Sequence, residues 1–333
     1  MKKSNSFRFE KDQRQYWVTI TIVLVLGAVF ALGLLVYNNP VAVTSPSFWP
    51  VVQRRINAVI AMAIVALAQS LATVTFQSVT SNRIITPSIL GFESLYTAIQ
   101  TAVMFFFGSR ALLAFTGVGP FLLQVGLMIL LSLLLYGWLL TGKYGDLQLM
   151  LLIGLIIGSG LRSLSAFMRR LLSPSEFDLL QARLFASVNH ADPGYFGISI
   201  VLIMLAALLL FWYARRLNVL NLGKDVALSL GVHHRRGTIF MLVLVSVLMS
   251  VSTALVGPMT FFGFLVATFT YRLVPTYDHR YYFPMAIGLG FLVMTGSYFL
   301  MYHVFNAQGV VSILIEFVGG LTFLFTMFRR GEE

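Results

Sequence analysis

The chain has 333 residues, 58% hydrophobic and only 11% charged, with a formal net charge of +11 and no cysteine. Soluble domains carry about 25% charged residues, so this composition excludes an ordinary soluble protein, and the missing cysteines exclude disulfides, thiolate metal sites and cysteine nucleophiles. A membrane-spanning helix needs roughly 20 consecutive apolar residues; the runs present here are too long and too uniformly Leu, Ile, Val and Phe for the alternating strands of an outer-membrane barrel.

Taken in order, the first apolar run is 17–37, behind a basic segment, residues 1–16. No A-x-A cleavage site follows it, so it is expected to be a mature helix rather than a signal peptide. The second span, 56–79, carries Gln69, Ser70, Thr73, Thr75, Gln77 and Ser78. Amides and hydroxyls in a span either hydrogen-bond a neighbouring helix or line a watery path. A loop with Asn82, Pro87 and Gly91 supplies fixed turn chemistry and leads into span 89–107. Spans 120–141 and 147–168 follow. The mixed segment Leu171–Tyr195 reads as a short helix and a turn outside the membrane core.

Span 195–214 comes next, then the polar stretch "NLGKDVALSLGVHHRR", Asn221–Arg236. Thr238–Val274 is almost uncharged and longer than one span requires. Gly257-Pro258 breaks it into 238–256 and a shorter 261–274. Spans 281–302 and 309–328 complete the chain. The expected architecture is all-α and polytopic, with ten spans and both termini on one side. If that side is cytoplasmic it holds 16 of the 23 basic residues, which satisfies the positive-inside rule. The positive charge is then mostly membrane topology, not a nucleic-acid footprint. The same count puts Asn221–Arg236 in the cytoplasm.

That stretch forms a small amphipathic helix with Leu222, Val226 and Leu230 one turn apart, Ala227 between them and Gly231 placed to end it. Its apolar face has no bilayer to enter, which fits a docking element for a partner. The basic tail His233–Arg236 suits the anionic inner leaflet.

Charges inside spans are costly and mark function by default. Glu316 lies in the last span and Arg162 in the fifth, at similar depth by a rise of about 1.5 Å per residue; they are expected to pair or to face one aqueous cavity. Glu93 and Glu316 are the two acids an ion-coupled secondary transporter could use, which is the competing reading. Arg54, Arg55, Arg162, Arg169, Arg170 and Arg183 sit on the outer side, where an arginine cluster attracts anions and acidic protein surfaces. No phosphate-cradling G-x-x-x-x-G-K-[ST], no H-E-x-x-H and no G-x-S-x-G occurs, so no enzyme signature is present. The five histidines are scattered among loops and span ends and offer no metal site.

Five segments in one order, "RRINA", "FQSVTSNRIITPSILGF", "LNVLNLGKDVALSLGVHHRR", "VGPMTFFGFLVATFTYRLVPTYDHRYYFP" and "GVVSILIEFVGGLTFLFTMFRR", resemble the permease subunits of ferric-siderophore ABC importers, the group that includes the vitamin B12 permease. Arg55, Gln77, Asn82, Pro87 and Leu90-Gly91 match the family's first pattern. Leu222-Gly223, Ala227 and Leu230-Gly231 match its cytoplasmic L-G-x-x-x-A-x-x-L-G. Gly257-Pro258, Gly263 and Arg272, then Asp278, His279, Arg280 and Pro284, match the third and fourth. The chain departs from the pattern at Ala58, at Thr268-Phe269 and at Glu316–Gly320. The last form, with "NRIITPSILGFESLY", looks like the anguibactin- and petrobactin-type subgroup.

The resemblance implies one permease domain over 1–333 with the type II ABC-importer fold in a bacterial cytoplasmic membrane. It implies a non-enzymatic subunit that binds no cofactor or metal, with ATP and magnesium on two partner ATPases. Leu222, Gly223, Val226, Ala227, Leu230 and Gly231, within a coupling loop at 215–237, would engage those ATPases. Arg54 and Arg55 would dock an extracytoplasmic siderophore-binding protein, and a second, non-identical permease would complete a pore among membrane lipids. Gln69, Gln77, Asn82, Pro87, Glu93, Arg162, Arg169, Arg170 and Glu316 are the candidates for the translocation path.

Overall fold

The structure is a computed structural model that describes residues 6–38, 41, 44–141, 147–306 and 310–330. Residues 1–5 of the basic N-terminal segment, with Lys2 and Lys3, and also Lys143 lie outside the described residues. Helices α1 (Glu10–Val36), α2 (Phe48–Val79), α3 (Phe92–Ala114), α4 (Val118–Thr141) and α5 (Leu147–Arg170) form the first half. Then come α6 (Pro174–Leu184), α7 (Phe196–Leu220), α8 (Lys224–Ser229), α9 (His234–Val256), α10 (Phe262–Leu273), α11 (His279–Phe299) and α12 (Val311–Arg330). Among the described residues, seven helices are long and apolar enough to cross a membrane. The short α10 begins within the bundle, after the break at Gly257-Pro258.

Most apolar runs became helices where expected, but several helices run further. α1 starts at Glu10 rather than 17, and α2 at Phe48 rather than 56, because helical hydrogen bonding continues past the hydrocarbon edge once polar side chains can reach water. As a result Arg54 and Arg55 lie within a helix, not a loop. The third span was expected to stop at 107, and Gly108 is where α3 breaks, at φ 77° and ψ −178°, before resuming to Ala114. The mixed segment 171–195 does contain a helix, α6, opened by a reciprocal cap between Ser173 and Glu176.

α2 sits at the centre, buried along most of Ala61–Val79, with α9, α11, α7 and α10 around it. Small residues let these helices approach, as they do in membranes where no hydrophobic drive separates helix from lipid. Gly290 of α11 faces Ser70, and Gly263 of α10 faces Thr73. α1 buries one stripe, Tyr16, Ile20, Val23, Gly27, Ala31 and Leu34, against α11 and exposes Val18, Ile22, Val25, Val29 and Leu32. That is the pattern of a helix with one side on protein and the other on lipid.

Hydrogen bonds join the two ends of the bundle consistently. At one end Ser6, Asn218 and Asp278 meet. At the other, Arg55 meets the end of α1 and Asn189 meets Tyr302. α12 runs parallel to α10, with Gly319 against Phe261 and Phe323 against Phe264, so it ends on the same side as Ser6.

Candidate functional site

The polar stretch folds into a short helix that is held at its ends and bare on its face. α8 spans Lys224–Ser229, shorter than the Asn221–Gly231 expected, because Leu222 and Gly223 belong to the turn after α7. Gly231 does end the helix: at φ +76° its N–H bonds the Leu228 carbonyl while Val232 N–H bonds Ala227, a Schellman cap. Ala227 is fully buried and anchors the turn, whereas Leu222, Val226, Leu228 and Leu230 are 45–59% exposed. Four apolar side chains project from six residues of helix and their flanks.

At the end of α7 that precedes α8, a partly buried network ties four parts of the chain together. His279 bridges Ser78 Oγ of α2, at 2.6 Å from Nε2, and Asn218 Oδ1 of α7, to which Nδ1 donates. Asn218 Nδ2 donates to Asp278, which also accepts from Ser6 and the Arg280 guanidinium. Partial burial pushes the Asp278 carboxyl up, but the bonds from Arg280, Asn218 and Ser6 outweigh it and hold the group well below the usual carboxylate range. Sequence reasoning singled out Ser78, Asp278, His279 and Arg280 but missed Ser6 and Asn218. Only tertiary structure brings in partners up to 272 positions away.

Three of the path candidates converge. Glu93 opens α3 and accepts a 2.6 Å hydrogen bond from Thr260, and both Glu316 and Arg162 act on it electrostatically. Arg162 does not pair with Glu316, correcting the first form of that expectation. Its guanidinium donates to Ser94 and Ser159, which are nearer on the α3–α5 seam. That seam is close because a Cβ on Gly158 would meet the Gly91 Cα at 3.1 Å, and Gly91 is at φ +95°. The sequence signal was G-L-I-I-G at 154–158, the small-x-x-x-small spacing of helix contacts.

Other candidates lie elsewhere. Gln69 and Gln77 are 1% exposed, donating to Ser252 and to the Arg83 carbonyl. Gln69 thus ties α2 to α9, and Gln77 ties the end of α2 to the loop that follows it. Asn82 caps its loop through Ile84 N–H, and Pro87 opens a 3-10 turn. Arg169 and Arg170 line an open cavity of about 420 Å³ with Phe177 and Asp178 of the α6 segment.

At the end of the bundle opposite Ser6, two adjacent arginines differ in their surroundings. Arg55 donates to the carbonyls of Leu34, Leu35, Tyr37 and Asn38, stapling the end of α1. Both of its terminal nitrogens are engaged there, whereas Arg54 has no such role in holding α1. Arg54 is exposed and, together with Arg55, lines a cavity of about 190 Å³ with Asn189, Tyr302 and His303, polar neighbours that sequence reasoning did not identify.

Comparison with known proteins gives one consistent answer. The model of the FecCD transport family matches residues 16–329. The petrobactin import system permease protein FatC of Bacillus anthracis is 61% identical over 99% of this chain and 93% of its own length. A second permease of that system, FatD of Bacillus anthracis, is 25% identical over 83% of this chain and 80% of its own. A solved inward-facing conformation of a metal-chelate type ABC transporter superposes with a TM-score of 0.74 at 20% identity. It covers 93% of this chain and 99% of that one, a likeness that shows the fold.

Proposed function

The chain belongs to the FecCD transport family, and from that premise we propose that it is the membrane permease subunit of an ABC importer for a ferric petrobactin-type siderophore. The observation that carries the substrate is the 61% identity to FatC over nearly the whole chain. The chain does no chemistry. It forms half of a pore with a second, FatD-like permease in a bacterial cytoplasmic membrane. Two ATPases, which carry the ATP and magnesium, engage the exposed face of α8 and drive a two-state gate.

The test is uptake of radiolabelled ferric petrobactin by cells supplied with this chain, its companion permease, the ATPase and the binding protein. Uptake is expected with petrobactin and not with a ferric hydroxamate, and only when the ATPase is functional. Rescue by the hydroxamate alone would overturn the substrate. Uptake that survives an inactive ATPase but collapses with a protonophore would favour ion coupling through Glu93 and Glu316.

The outer arginines separate in a second test. Arg54→Glu is expected to weaken docking of the binding protein on the order of tenfold at low salt and less at high salt, because exposed charges are screened. Arg55→Ala is expected to leave docking in place but lower stability by about 2 kcal/mol, the cost of removing a charged donor from carbonyl acceptors. Surface plasmon resonance and thermal unfolding read the two effects. Equal docking losses in both variants would return Arg55 to the interface.

A further inference from the structure

α7 exposes one continuous stripe along its length: Val201, Met204, Leu205, Leu208 and Trp212. The spacing keeps these side chains on one face, and the chain leaves that face uncovered and open to lipid. At its cytoplasmic end the stripe runs into two exposed arginines, Arg215 and Arg216, and into a cavity of about 500 Å³. Tyr213 and Arg216 of α7 form one wall, His233, Arg236 and Phe240 the other, and Gly231 closes it below α8.

The cavity has a fixed shape and one sign of charge. Tyr213 and Phe240 pack with ring centroids 4.7 Å apart, and the Arg216 guanidinium lies 4.8 Å over the Tyr213 ring, a cation–π seat that orients it. No carboxylate lines the cavity. The ion pair found among the described residues, Arg280 with Asp278, is on other elements. Arg216 and Arg236 thus present planar forks of donors without an acidic partner, and such forks match the two free oxygens of a phosphodiester.

We propose that this cavity binds the phosphate headgroup of an anionic phospholipid of the inner leaflet, with its acyl chains laid along the exposed stripe of α7. The stripe selects a lipid over a soluble phosphate, because it supplies apolar surface where the chains would emerge, and Trp212 marks the interfacial depth. Basic pockets between spans at a cytoplasmic face are suited to such headgroups. A lipid seated there would brace the loop that presents α8. The proposal rests on the placement of this end in the cytoplasm.

The assembled importer is purified in detergent, and lipid retention is read by native mass spectrometry with phosphatidylglycerol or phosphatidylcholine added. One tightly retained phosphatidylglycerol per chain is expected, with Arg216→Gln/Arg236→Gln weakening it about thirtyfold. Arg215→Gln, outside the cavity, is expected to leave retention unchanged. Equal retention by the double variant, or equal retention of phosphatidylcholine, overturns the proposal. Displacement by millimolar glycerol 3-phosphate makes the site one for soluble anions and also overturns it.

Should the double variant fail to fold, a photoactivatable phosphatidylglycerol on the wild-type importer must crosslink within Tyr213–Phe240; crosslinks elsewhere only would refute the site. The chain has no cysteine, so Ser229→Cys is a unique label. Its reaction with an impermeant maleimide in intact cells overturns the cytoplasmic placement. Protection of that label together with loss of selective lipid retention overturns the lipid site alone.

Discussion

Replacing Val226 and Leu230 together with aspartate is expected to abolish transport while the chain still inserts and folds. Both side chains are exposed, at 45% and 59%, so neither contributes to the core and their loss should barely change the stability of the chain itself. In a complex with the ATPase each would be buried, contributing roughly 1.5–2 kcal/mol of hydrophobic stabilisation. Aspartate removes that contribution and adds an unpaired carboxylate whose burial costs several kcal/mol more. ATPase affinity should therefore fall by a factor of about a thousand or more. Co-purification of the ATPase with the tagged permease and substrate uptake should both be lost, with the melting temperature unchanged. Ala227→Asp is the contrast: Ala227 is fully buried, so that variant should lose stability first. Transport that survives in the double variant would mean that α8 does not dock the ATPase, and loss of membrane insertion would mean that its face is structural.

The all-α class and the order of most long apolar helices were legible because lipid imposes one rule on every span, a run of apolar side chains long enough to cross, although against ten expected spans seven helices among the described residues are long and apolar enough to do so. What was not legible depends on pairs. Arg55 looked like a free outer cation in sequence, and only the return of α1 beside α2 supplies the four carbonyls that engage it. Gln69 and Gln77 looked equally suited to a path or to helix contacts; the structure gives them Ser252 of α9 and the Arg83 carbonyl of the loop after α2, partners that the sequence does not place beside them. Arg162 and Glu316 share a depth, but depth says nothing of rotation about the helix axis, and Arg162 turns to Ser94. The face of α8 was legible for the opposite reason. It needs no partner within the chain, so its local spacing and Gly231 were enough.

Gly158→Val is expected to damage the membrane core by forcing two backbones apart. The Cβ alone would stand 3.1 Å from the Gly91 Cα and 3.5 Å from its backbone nitrogen. Neither is the end of a flexible side chain, so relief requires the α3–α5 seam to open. Gly91 is itself at φ +95°, a conformation that a residue with a Cβ adopts only with strain, so the seam depends on a glycine on both sides. Overpacking of this kind costs about 3 kcal/mol or somewhat more, and it should reach beyond the contact. One turn further along α5, Arg162 loses its 3.0 Å bond to Ser94, and the Glu93–Thr260 bond that ties α3 to the start of α10 is disturbed with it. The consequence is measurable as non-additivity. Arg162→Ala should destabilise the wild-type chain but have little further effect in the Gly158→Val background, because neighbours that share a seam do not lose the same contact twice. Thermal unfolding of the four proteins in detergent reads the cycle. Simple additivity would show that the glycine contact and the arginine bond are independent, and an unchanged melting temperature for Gly158→Val would show that the seam is not close-packed at all.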